Sequence, residues 1–261
     1  EPMKSEASSK RTLILGAAWT IATRWAIKGI GFLNTVIMAR LILPSDYGIV
    51  AMAMLVVGLI QALMDFGATT ALIRKNEVSR DEIDSAWTLR WLQSIGMGLI
   101  LLAGAPLAAS YFQEPRVEYV LWVLAACVTA AGAGNIGLVL AQKEFNFSLE
   151  FRLQVICKTA GVAATVTSGY WLRDYRALVI GVATGYISGL IFSYLMHPYR
   201  PRWNTSKFGE IWAVTKWLMV AGVGGFILRK SDELIAARLG TTADYGLYNV
   251  GADLGQLPTG E

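Results

Sequence analysis

The residues of this sequence most able to do chemistry are charged side chains set inside long apolar runs. Arg24 and Lys28 stand four apart in the first run, and so share one face if that run is helical. Asp65 lies in the second run, within Asp65-Phe66-Gly67, and a later run carries Arg229, Lys230, Asp232 and Glu233. A charge surrounded by hydrocarbon is costly, so such groups face a polar cavity or a partner. Cations on one face suit an anion, Arg as a planar fork and Lys as a point charge. Ion pairing is the competing reading, Arg24 with Asp65 or Arg229 with Glu233. Asp65 is either a coupling site for a cation or proton, or a residue that caps or kinks its helix near Gly67. Asp232 is a second coupling candidate, or a solvated group near the outer interface.

These charges need elements to hold them. Of 261 residues, 54% are hydrophobic and 16% charged, with mean hydropathy +0.46; average soluble domains carry about 25% charged residues. Apolar residues fall in blocks of roughly 20–25, the length of a bilayer-crossing helix. Spans read near 12–38, 48–73, 86–112, 118–141, 150–172, 177–197 and 211–236, with an eighth beginning near 247. The blocks lack the alternation of barrel strands. The fold expected is all-α, a polytopic transmembrane helix bundle. At 1.5 Å per residue Arg24 and Lys28 lie about 18 and 24 Å into span one, Asp65 about 12 Å from the cytoplasmic end of span two, and Arg229 about 24 Å into span seven if that span enters near 213. Arg90, Arg152 and Lys158 read nearer span ends, where snorkelling to the interface explains them.

Loop charge sets the expected orientation. Lys4, Lys10, Arg11, Arg74, Lys75, Arg80, Lys143, Arg152, Arg200, Arg202 and Lys207 fall on one side, against Arg40, Arg116, Arg173, Arg176 and Arg238 on the other. The richer side, with the N-terminus, is cytoplasmic by the positive-inside rule. The net charge of +4 reflects this bias and implies no nucleic acid. Cys127 and Cys157 both fall inside predicted spans, so neither a disulfide nor a metal site is expected. His197, before Pro198, reads as interfacial. No Walker motif, nucleotide-binding loop or nucleophile beside a base is present, which argues against an enzyme.

The sequence also repeats itself. Arg40-Leu41 with Asp46-Tyr47-Gly48 recurs as Arg238-Leu239 with Asp244-Tyr245-Gly246, at a constant offset of 198 residues. Trp19 matches Trp217, Ile37 matches Ile235 and Ala39 matches Ala237 at that offset. The motif is a tight turn: a cation at a helix end, Pro44 as a stop, then Ser45 or Asp46 as a cap. Six spans separate the copies, an even number, so both face the same side and the repeats are parallel, as in some two-lobed transporters. The expected organisation is a cytoplasmic N-terminus over 1–11, a first six-helix lobe over 12–200, a cytoplasmic linker over 201–210, and the start of a second lobe over 211–261. A complete pair of repeats would need about 400 residues, so the chain is read as one lobe and the opening of the next.

The run Ala39 to Ala51 (Ala-Arg-Leu-Ile-Leu-Pro-Ser-Asp-Tyr-Gly-Ile-Val-Ala), followed by Asp65-Phe66-Gly67 and Ala71-Leu72-Ile73, resembles the Wzx-type oligosaccharide flippases of the multidrug/oligosaccharidyl-lipid/polysaccharide exporter superfamily. Asp232 to Gly240, with Gly246-Leu247-Tyr248, is similar to the matching turn of the second lobe; Ala237 departs from the family's more frequent Gly. Pro201-Arg202 after span six also fits. The resemblance implies twelve to fourteen helices in two lobes around a central cavity. It implies movement of an undecaprenyl-pyrophosphate-linked oligosaccharide across the bacterial inner membrane by alternating access, driven by Na+, H+ or the membrane potential and beside a polysaccharide polymerase and export machinery. On that reading Arg24, Lys28 and Arg229 contact the pyrophosphate, and no other cofactor is needed. A multidrug extruder would fit the same fold, but span one offers two cations and no acid, which favours an anionic substrate. A non-transporting scaffold of a polysaccharide assembly complex is the third reading.

Overall fold

The computed structural model describes residues 2–64, 78–143, 147–206, 209, 224–226, 228 and 230–255. Every regular element among them is an α-helix, as the block lengths require: α1 (Pro2–Met38), α2 (Pro44–Met64), α3 (Arg80–Phe112), α4 (Arg116–Gly132), α5 (Gly137–Lys143), α6 (Phe147–Leu172), α7 (Tyr175–Met196) and α8 (Thr242–Gly255). Residues 230–239 are helical as well. By length and apolarity α2, α3 and α7 could each cross a bilayer. The longer α1 and the 26-residue α6 have the length but carry the charges discussed above.

The turns follow local chemistry. Pro44 opens α2 after the turn that closes α1, its missing N–H being one the first turn leaves unbonded anyway. Ser79 and Glu82 form a capping box at the start of α3: Glu82 N donates to Ser79 Oγ at 3.3 Å, and Ser79 N donates to Glu82 Oε2 at 2.9 Å. Gln113 ends that helix in the left-handed region, φ 57°. Asp174 caps α7 by accepting from Tyr175 N.

Helix α2 is the hub, touching α3, α4, α7 and α8; α3 pairs with α4, α6 with α7, and α1 lies along α6. One buried cluster joins α2, α3, α4 and α7 through Met52, Leu101, Leu121 and Leu178, and reaches Ala237 and Tyr245. In lipid the hydrophobic effect does not hold helices together, so close packing must. A methyl group at Gly181 on α7 would lie 1.6 Å from Thr165 Oγ1 on α6, so only glycine lets those helices meet there. Outward faces are apolar instead: Trp25, Phe32 and Leu33 on α1, and Ile180, Ile187 and Ile191 on α7, are all exposed. An apolar exterior around polar interior groups is the inverse of a water-soluble fold.

The fourth span corrects the sequence reading. The uninterrupted helix expected over 118–141 is broken at residues 133–136, between α4 and α5. At 1.5 Å per residue the break lies about 25 Å from the start of α4. Backbone freed there must be satisfied by protein. Arg90 Nε donates to Gly132 O at 3.3 Å, Tyr194 Oη to Ala133 O at 2.7 Å, and Trp87 Nε1 to Gly134 O at 3.1 Å. Arg90 Nη2 also donates to Gly134 O. Asn135, 1% exposed, donates through Nδ2 to His197 O and Tyr199 O, accepts from Gly137 N, and gives its own N–H to Ser193 Oγ. Residues 197–206, non-helical, are strapped across the start of α3: Asp84 accepts from Tyr199 Oη and Arg202 N, and Thr88 Oγ1 from Asn204 N.

Candidate functional site

The helices surround a chamber of about 920 Å³, walled by α1, α2, α6 and α7, by Arg90 of α3, by the α4–α5 break and by Phe226, Lys230, Glu233 and Asn249. The upper size of pockets that hold drug-sized ligands is about 1,000 Å³. Much of its wall is apolar or backbone, with Val50, Met54 and Leu55 from α2 facing Gly161, Gly181 and Gly185. Its polar groups come from distant parts of the chain. Arg90, Lys158 and Lys230 supply positive charge, Glu233 supplies negative charge, and Asn34, Gln154 and Asn249 supply amides.

Each cation is held differently. Arg90 is committed to the carbonyls of the α4–α5 break and turns its remaining surface to the chamber and to a second, adjoining hollow of about 410 Å³. Lys158, exposed to the chamber, lies against α1 beside Gly31, where an added methyl would be 3.7 Å from its Nζ, an ordinary contact. Lys230 is ion-paired with Glu233, one turn away on the same helix. Asn34 Oδ1 is buried in the wall without a hydrogen-bond donor among the described residues, an acceptor that an incoming hydroxyl could satisfy.

The residues named from sequence fall differently. Arg24 is exposed and Lys28 half-buried, and neither lines the chamber. Helix α1 presents Ile27 and Asn34 to it; at about 100° per residue, Arg24 and Lys28 stand about 60° and 100° round from Ile27. Asp232 is exposed, accepts from Tyr248 Oη at 3.1 Å and is likewise not in the wall. Asp65 and Arg229 lie outside the described residues. Arg90 and Lys158, read from sequence as snorkelling, instead line the chamber. Their signal was present as basic residues within apolar blocks; the direction each faces was not.

At the start of α2, one residue before chamber-lining Tyr47, sits a second polar group. Arg116 Nε and Nη2 donate to both oxygens of Glu114 at 2.8 and 2.9 Å, and Arg116 Nη1 lies 3.7 Å from buried Asp46. The Arg116 hydrogen bond holds the Glu114 carboxyl below its usual range. Thr242 Oγ1 donates to Glu114 Oε2 at 3.5 Å, so this cluster touches the first turns of both α2 and α8.

A bundle with a lipid-compatible exterior and a polar, cation-bearing chamber defines a multi-pass membrane protein that can shelter a charged group from hydrocarbon. The chain belongs to the polysaccharide biosynthesis protein family, whose model matches residues 37–261, and the resemblance read from its turn motifs is borne out. It is similar to the lipopolysaccharide biosynthesis protein WzxC of Escherichia coli, 23% identical across 96% of this chain and 52% of that protein. It is similar also to the succinoglycan biosynthesis transport protein ExoT of Rhizobium meliloti, 22% identical across 95% and 51%, and to the teichuronic acid biosynthesis protein TuaB of Bacillus subtilis, 19% across 96% and 53%. The chain thus spans about half the length of these relatives. No solved structure matches it.

Proposed function

We propose that this chain supplies one lobe, and the beginning of a second, of a flippase that carries a lipid-linked oligosaccharide across the bacterial inner membrane by alternating access. The observation that carries the reading is the cationic chamber, with Arg90, Lys158 and Lys230 in its wall, inside a member of a polysaccharide biosynthesis family. A diphosphate-linked lipid headgroup, the undecaprenyl type being the one expected, carries concentrated negative charge and needs such partners to leave the membrane surface. Lys158 contacts it directly; Lys230 exchanges Glu233 for it. The sugar hydroxyls meet the amides and Asn34 Oδ1. Arg24, Lys28 and Arg229 are the outer contacts of the same path. Transport involves no covalent step, so no catalytic residue is assigned. Na+ or H+ couples the cycle, with Asp65 the first candidate carboxylate and Asp232 the second.

The test is translocation of a fluorescent lipid-linked oligosaccharide in proteoliposomes. A hydrogen bond to a charged group contributes about 1.5–3 kcal/mol, so Lys158→Ala lowers the rate roughly 10- to 100-fold. Arg24→Glu abolishes translocation with insertion intact, and Asp65→Asn removes its ion dependence. Wild-type rates in both Lys158→Ala and Arg24→Glu, or extrusion of a cationic dye in place of the glycan lipid, overturn the reading.

A further inference from the structure

The two copies of the repeated motif touch each other. Pro44 and Gly48 of α2 correspond at the 198-residue offset to Thr242 and Gly246 of α8. A methyl group at Gly48 would lie 1.9 Å from Thr242 O, and one at Gly246 would lie 1.9 Å from Pro44 O. The contact is therefore reciprocal, each glycine receiving the carbonyl that opens the other copy. No side chain can be moved aside to make space, because both obstacles are backbone. The crossing also has a defined place. Tyr47, one residue before Gly48, lines the chamber, and so does Asn249, three residues after Gly246. Both helices run from the crossing into the chamber wall. Beside it Glu114 bridges Arg116, itself next to Asp46 on α2, to Thr242 on α8. The symmetry stops at the side chains: Asp46 is buried at this bridge, whereas Asp244 is exposed and accepts from Thr241 of its own turn.

We infer that the Gly48–Gly246 crossing is the gate that closes the chamber at the α1–α2 turn end, latched by Glu114, and that it parts to open the chamber on that face. This rests on the alternating-access reading above. Backbone-to-backbone contact of this kind is all or none: a single Cβ on either glycine prevents closure and holds that end open, while the opposite end is untouched.

A native thiol reports on the gate. Cys157 lines the chamber and Cys127 is buried in the helix core. In the full chain carrying Cys127→Ala, in sealed vesicles of both orientations, labelling of Cys157 by a membrane-impermeant maleimide is followed from each face. With the native glycines, labelling proceeds from the N-terminal face and is at least tenfold slower from the α1–α2 turn face. Gly48→Ala and Gly246→Ala each raise the turn-face rate at least tenfold. Gly251→Ala, on α8 with open space around it, leaves it unchanged. Glu114→Gln, which alters no backbone, raises it in the same direction and serves if a glycine variant fails to insert. Unchanged turn-face labelling in the inserted glycine variants and in Glu114→Gln overturns the gate, as does equal acceleration in Gly251→Ala. The assay needs no glycan: a gate that responds in the two-lobe protein while that protein moves no lipid-linked sugar refutes the flippase reading alone.

Discussion

Glu114 shows how one side chain can serve two helices. It holds Arg116 through both oxygens and receives Thr242 Oγ1, and the first of these contacts depresses its pKa below the usual 4.5. A carboxyl whose folded pKa is depressed contributes stability above its unfolded pKa, and that contribution is lost as pH falls through the folded value. The melting temperature of the detergent-solubilised native chain therefore exceeds that of Glu114→Gln at pH 7, and the gap closes as pH is lowered below about 4.5, where the unfolded carboxyl protonates first. A gap constant from pH 7 to pH 3 would remove Glu114 from the latch. Thr241 acts on Asp244 in the same direction, holding its pKa down, but there the effect stays within one exposed turn.

Among the elements, the broken fourth span is the one that most shapes the chamber. Ending α4 at Gly132 frees carbonyls that α3 and α7 must satisfy, and Arg90 is recruited to do so. Arg90 is thereby a positioning residue first and a source of positive charge second. Arg90→Met leaves Gly132 O without its donor, whereas Gly134 O keeps Trp87. An unsatisfied buried carbonyl costs about 1–3 kcal/mol, which for a chain of this size lowers the melting temperature by about 3–10 °C. Arg90→Lys recovers part of that loss. Thermal unfolding in detergent measures it, and a Met variant as stable as the native chain would show that the break is satisfied some other way. Helix α6 illustrates a different dependence: Lys158 reaches the chamber while packed beside Gly31 of α1, a neighbour over a hundred residues earlier in the chain.

At the scale of the whole molecule, polarity runs along the bundle axis. The α4–α5 break, the strap of residues 197–206 and the aromatic group Trp87, Trp91 and Trp203 sit at one end; the Gly48–Gly246 crossing and Glu114 close the other. Arg80, Arg200 and Arg202 lie at the first end, and we propose that this end faces the cytoplasm, as the positive-inside rule expects. A protease-sensitive tag on the N-terminus is accordingly cut only in inside-out vesicles, and one inserted after Arg173 only in right-side-out vesicles. The reverse pattern would invert the direction of the gate without disturbing its chemistry.

Among the described residues, sequence by itself determined most of the helices and the turns that join them, and it disclosed two similar turns 198 residues apart, because apolar block length, capping residues and Pro44 act within a few residues of themselves; the span expected over 211–236 lies largely outside those residues. It also revealed that charges lie within the apolar blocks. Which charges face the chamber was decided only by the tertiary structure, because facing depends on how each helix is rotated against its neighbours. A turn of about 60–100° separates Arg24 and Lys28 from the wall that Ile27 and Asn34 form, while pairing of α6 with α1 and α7 brings Lys158 inward. The break in α4 escaped the sequence for the same reason: its donors, Trp87, Arg90 and Tyr194, lie more than forty residues away. Likewise the repeat was legible as two similar turns, but that Gly48 and Gly246 meet requires the chain to bring α8 back onto α2, a contact between segments 198 residues apart.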